Sequence, residues 1–92
     1  MSTITITIEH EAGLHARPLA KFVKVVKQYD ATVEVTNLTR EKGPVNGTSP
    51  LKLMLLAVSQ GHTIEISAQG PQADEVLQAL RLLIENNFEG EE

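Results

Sequence analysis

The segment Gly13-Leu14-His15-Ala16-Arg17-Pro18 holds the side chains with the greatest chemical capacity in this chain. A histidine stands one residue before an expected helix start, and an arginine and a proline fall in the first turn. Amides at a helix N-terminus have no acceptor inside the helix, and together they carry about half a positive charge. That end is a seat for an anion, phosphate above all. A neutral imidazole beside it can attack phosphorus, hold the phosphoryl group and give it up again. The roles expected from type and position are His15 as phosphoryl acceptor, Arg17 as clamp on the phosphate oxygens and Ala16 as donor of a backbone N–H. A cation is electrostatically misplaced near a helix N-terminus, so Arg17 asks for an anion there. Pro18 reads as structural. His10 and His62 lack this setting and read as solvent-facing.

The surrounding elements must bring that segment to the surface and hold it. Thr3 to Glu9 alternates strictly, which predicts a strand with Ile4, Ile6 and Ile8 inward. His10 to Leu14 reads as a loop. From Ala16 the period turns helical: Leu19, Phe22, Val23 and Val26 share one face, and Lys21, Lys24 and Lys27 another. Asp30 marks the end of that helix. Thr32 to Leu38 alternates again, with Val33 and Val35 on one side.

Thr39 to Pro44 reads as a turn, with Val45 opening a short edge strand and Asn46-Gly47 bending away. Ser49 is the expected N-cap and Pro50 the first residue of a helix over Leu51 to Val58, stopped by Gly61. Thr63 to Ala68 is a strand with Ile64 and Ile66 inward, broken by Gly70-Pro71. Ala73, Val76, Leu77, Leu80, Leu83 and Ile84 define an amphipathic helix to about Asn87. The acidic tail Phe88 to Glu92 is expected to fray.

The order is therefore strand, helix, strand, strand, helix, strand, helix. Strands with one apolar face call for an antiparallel sheet covered on one side. The fold class is α+β: an open-faced two-layer β-sandwich, a four-stranded sheet covered on one face by three helices. Ninety-two residues fit one domain, taken as residues 1–92.

Composition narrows the function. The net charge is −4 and aromatics make up 3% of the chain. Duplex nucleic acid calls for a basic surface, and single strands call for aromatic platforms, so nucleic-acid binding is excluded. The absence of cysteine removes disulfides and cysteine-bound zinc. The N-terminal residues show no signal peptide and no membrane span. A cytoplasmic, monomeric protein without cofactor or metal is the expectation.

At this point the chain resembles the HPr family of histidine-containing phosphocarriers of the bacterial phosphoenolpyruvate:sugar phosphotransferase system. The resemblance rests on Gly13 to Pro18, on Phe22-Val23-Lys24 and Lys27, and on Asn46 to Met54 with Ser49 before the second helix. Gly61, the Ile64 to Ala68 strand and Gly70 also fit, so it spans essentially the whole chain. It implies a βαββαβα fold with four antiparallel strands under three helices. It also implies a carrier that takes phosphate from Enzyme I and passes it to IIA proteins or domains in sugar uptake. The phosphoryl group would sit on Nδ1 of His15, touched by Arg17.

The same resemblance gives Ser49 a second role beside capping, as a regulatory phosphoserine made by an HPr kinase/phosphorylase and read by a transcriptional regulator. Pro50 and Lys52 depart from the pattern of many Gram-positive relatives there. Leu51, Met54 and Leu55 fall on a short helix that is apolar on nearly every side, so either all are core or some form a docking patch. Lys24, Lys27 and Lys52 would frame that patch and meet acidic partners. Two other functions stand beside the carrier. One is a regulatory protein of the same fold, acting by docking in nitrogen-branch or carbon-catabolite signalling. The other is a small phosphatase, for which no carboxylate or amide near His15 is evident.

Overall fold

A computed structural model describes residues 2–9 and 16–86. The described residues form β1 (Ser2–Thr7), α1 (Ala16–Lys27), β2 (Thr32–Asn37), β3 (Lys42–Asn46), α2 (Pro50–Leu55), β4 (Thr63–Gln69) and α3 (Ala73–Glu85). The strands make one sheet in the order β1-β4-β2-β3, with every neighbouring pair antiparallel. This is the expected strand and helix order.

Alternation in sequence becomes alternation in burial. Val33, Val35, Ile64, Ile66 and Ala68 are buried on one face, while Thr3, Thr5, Thr32 and Glu34 are exposed on the other. Register carries the pattern across strands: Ile66 lies opposite Ile4 on one side and Val35 on the other. Against this face pack Leu19, Phe22 and Val26 of α1, Leu53 of α2, and Val76, Leu80 and Ile84 of α3. The hydrophobic period of each helix therefore decides which stripe turns to the sheet. α1 also packs against both α2 and α3, so the helices form one layer.

Several boundaries differ from the sequence expectations. The β1 ladder stops at Thr7, yet Ile8 is fully buried, and its backbone pairs with His62 O at 2.9 Å and Gly61 N at 2.7 Å. The segment Thr39 to Pro44 is not all turn, because β3 already starts at Lys42. Pro44 is tolerated since β3 is an edge strand and needs no N–H on its outer side. Glu41 makes the turn at φ 54°, and Gly43 lies at φ 116°, where an added Cβ would stand 2.8 Å from Val35 O.

α2 ends at Leu55 with Leu56 as its C-cap, well before Gly61. The stop is Ala57, which takes φ 52° and donates its N–H to Met54 O at 3.1 Å. A left-handed residue just past the last turn closes a helix in the way glycine usually does. α3 ends at Glu85 with Asn86 as its cap, and the expected end at Asn87 and the tail beyond lie outside the described residues. No helix among the described residues is long and apolar enough to cross a membrane.

Candidate functional site

α1 begins at Ala16. His15, with Gly13, Leu14 and His10, lies outside the described residues. What the structure contributes is the helix start itself, placed at the residue that follows the histidine. Ala16, Arg17 and Pro18 make the opening turn, which carries no acidic residue. A carboxylate there would compete with any anion for the first amides. Pro18 fits because first-turn N–H groups have no helical acceptor to lose, and it is buried next to Leu19.

The rest of α1 explains why that end stays in place. Leu19, Phe22, Val23, Val25 and Val26 are buried, while Lys24 and Lys27 are exposed. Both lysines sit in the last turn, where cations suit the helix dipole. At a rise of 1.5 Å per residue, Lys27 stands roughly 16 Å along the axis from Ala16. The lysines are thus at the far end of α1 from its first turn.

α2 divides its apolar residues cleanly. Leu53 is buried, and the C-cap Leu56 with it. Leu51, Met54 and Leu55 are 70%, 50% and 65% exposed. The core therefore takes only part of the helix, and three large apolar side chains face outward with Lys52 among them. The N-cap is Ser49, in extended conformation, with its Oγ accepting from the Lys52 N–H at 3.3 Å. Pro50 occupies the first helical position. Since α1 packs against α2, the exposed patch lies on the helix beside the one that His15 precedes.

One polar cluster escaped the sequence reading. Asn37 is fully buried at the end of β2. Its Nδ2 donates to Leu56 O at 2.9 Å and lies 3.3 Å from Nδ1 of His62, while its Oδ1 accepts from the Arg40 N–H at 3.2 Å. The Ser59 N–H also donates to His62 Nδ1, at 3.1 Å. His62 is half-buried and tied in place, contrary to its reading as solvent-facing. The signal was present: in a strand with Val33 and Val35 inward, position 37 is inward too, and an amide there needs partners.

Among the described residues no group of three or more His, Cys, Asp or Glu is placed to hold a metal ion.

A family model described as "PTS HPr component phosphorylation site" matches residues 2–86. The chain is 41% identical over 92 residues to a phosphocarrier protein HPr from Pseudomonas aeruginosa, covering 99% of this chain and 100% of the relative. It is 40% identical over 84 residues to a multiphosphoryl transfer protein from Haemophilus influenzae, covering 91% of this chain but spanning only 17% of that longer relative. The fold is similar to a crystal structure of HPr-C-His from Thermoanaerobacter tengcongensis. The TM-score is 0.89 at 39% identity, with 100% of this chain and 99% of the other covered.

Proposed function

This chain belongs to the PTS HPr family, and from that premise we propose that it is a phosphocarrier of the phosphotransferase system, charged on His15. Phospho-Enzyme I is the donor, and IIA proteins or domains are the acceptors. The Nδ1 lone pair of neutral His15 attacks phosphorus. A P–N bond forms as the bond from phosphorus to its donor breaks, and the donor keeps that electron pair. The amides opening α1, beginning with Ala16, and the Arg17 guanidinium receive the charge of the phosphoryl oxygens. Onward transfer is the same step in reverse, with His15 as leaving group. The seat must hold the group without trapping it, since an over-stabilised intermediate would not pass on. Such a chain is a reactant regenerated in each cycle rather than a turnover enzyme, and it needs no cofactor.

A single observation supports this reading most: a helix of twelve residues starts at Ala16, directly after the histidine, inside a segment that matches the family from residue 2 to residue 86. The exposed apolar trio Leu51, Met54 and Leu55, with Lys52 on the same helix, supplies the contact surface for donor and acceptor. Lys24 and Lys27 extend that surface at its edge. The protein acts as a monomer in the cytoplasm, with residues 2–86 as the carrier domain.

Ser49 is a regulatory site in the same proposal. An HPr kinase/phosphorylase would place a phosphate on its Oγ, at the N-terminal end of α2. About two negative charges would then stand beside the docking residues, altering which partners bind, a transcriptional regulator among them.

The test is to mix the protein with Enzyme I and labelled phosphoenolpyruvate. A carrier acquires acid-labile, base-stable label, and His15→Ala acquires none. An unlabelled wild-type protein would move the function to regulation by docking alone. Steady release of free phosphate would mark a phosphatase.

A further inference from the structure

We propose that His62 is a positioning residue for α2: its Nδ1, acting as a double acceptor, latches the C-terminal end of the helix and so sets the pose of Leu51, Met54 and Leu55. The inference deepens the phosphocarrier reading, because it rests on that helix being the docking element.

Little else holds α2. Six residues are too few to form a stable helix by themselves. Its outward side chains give no anchorage, and within the helix the only buried residue is Leu53. Past its end, Ala57 occupies the left-handed region at φ 52°, a conformation that crowds the Cβ of any residue but glycine. A short helix ending in a strained residue relaxes by unwinding unless something over-determines its last turn.

The polar cluster does so. The Leu56 carbonyl, at the C-cap, accepts from the buried Asn37 Nδ2 at 2.9 Å. For Asn37 to present that hydrogen, its amide plane must be fixed. It is fixed from both ends, by the Arg40 N–H on Oδ1 at 3.2 Å and by His62 Nδ1 at 3.3 Å from Nδ2. The Ser59 N–H approaches the same ring nitrogen at 3.1 Å and closes the loop that follows Ala57. Two donors converge on one atom, so Nδ1 carries the lone pair and the ring proton sits on Nε2. A single imidazole nitrogen thus joins the end of β2, the cap of α2 and the 57–62 loop. Removing it leaves one hydrogen of a buried amide and one backbone N–H without their acceptor, while the sheet core stays intact.

The experiment compares wild type, His62→Ala and His62→Asn. Asparagine can set its Oδ1 near the position of Nδ1 and keep an acceptor there; alanine cannot. Two quantities are measured: amide hydrogen exchange at Leu56 and Ala57, whose N–H groups bond Leu53 O and Met54 O at 3.1 Å, and the steady-state kinetics of labelling by phospho-Enzyme I. In His62→Ala the loss of the Nδ1 acceptor should speed exchange at those two amides about tenfold, with the amides of Val35 and Ile66 unchanged. The KM for the carrier should rise about three- to tenfold at unchanged kcat, since the chemistry at His15 is untouched. His62→Asn should restore both values.

The inference is overturned if His62→Ala matches wild type in exchange and KM, or if His62→Asn is impaired as badly as His62→Ala. Failure of the carrier reading looks different: the wild type itself takes no label. The latch is then judged by exchange alone.

Discussion

Gly47 lies flat against Val33. Its amide donates to the Val33 carbonyl at 2.8 Å, and a Cβ built on it would stand 2.9 Å from Val33 Cγ1. The approach fixes where the chain leaves the sheet and turns toward Ser49 and α2. Gly47→Ala must push either the buried valine or the backbone, and overpacking of that kind costs about 1–3 kcal/mol. Thermal or urea unfolding should show a loss in that range. Adding Val33→Ala removes the offending methyl group, so the double variant should lose less than the sum of the two single variants. Strict additivity would mean that the contact is softer than its geometry implies.

Arg17 separates the chemistry of the seat from its architecture. Arg17→Ala should leave folding stability within about 0.5 kcal/mol of wild type, because a cation at a helix N-terminus gains nothing from the helix dipole. Phosphoryl transfer to and from His15 should slow about tenfold to a hundredfold, the scale of a lost charge-assisted hydrogen bond of about 1.5–3 kcal/mol. Stopped-flow or quench measurements with Enzyme I give the rate directly. Normal transfer in a folded variant would remove Arg17 from the mechanism.

The two sides of α2 should respond oppositely. Leu55 is exposed and Leu53 is fully buried. Leu55→Gln should leave stability almost unchanged but weaken acceptance of phosphate from Enzyme I, seen as a higher KM for the carrier. Leu53→Ala should cost about 2–5 kcal/mol through the cavity it leaves. A Leu55→Gln protein that docks normally would mean that partners approach by another route.

How much of this was legible in the sequence depends on how local the cause was. The β1, β2 and β4 strands and the α1 and α3 stripes follow from period alone, and each was read within a few residues. Ser49-Pro50 announced the start of α2 through local capping chemistry. The start of α1 at Ala16 was legible for the same reason, whereas the part given to His15 falls outside the described residues. The misreadings have tertiary causes. The apolar run overextends α2 because Leu56 and Val58 are buried in the core beyond the end of the helix. The sequence hides the first part of β3 because Pro44 reads as a breaker until its edge position is known. His62 read as a lone surface histidine because its partners, Asn37 and Ser59, are set by the fold. Asn37 could have been caught, being polar at an inward position, but sequence alone does not say which groups it meets.

Ser49→Ala should cost about 1 kcal/mol, the usual worth of a lost N-cap, because the Lys52 N–H loses its acceptor. Ser49→Asp keeps an acceptor and adds a negative charge at the N-terminal end of the helix, so it should be as stable as wild type. Acting as a crude phosphoserine, it should nonetheless alter labelling by Enzyme I. An unchanged stability in Ser49→Ala would show that the cap contributes nothing here.

The last prediction concerns how α2 stops. Ala57 does at φ 52° what glycine does without steric cost. Ala57→Gly removes the clash of Cβ with the backbone but enlarges the freedom of the unfolded chain. The first effect is worth roughly 1–2 kcal/mol and the second at most about 1 kcal/mol, so relief of strain wins. Nothing is given up in burial, since Ala57 is exposed. A net gain of about 0.5–1 kcal/mol should raise the melting temperature by roughly 2–8 °C in a chain of this size. Glu41, also exposed and at φ 54° in the β2–β3 turn, should respond in the same direction to Glu41→Gly. If both substitutions lower the melting temperature, neither residue is strained, and the conformation of Ala57 is no reason for α2 to need a latch.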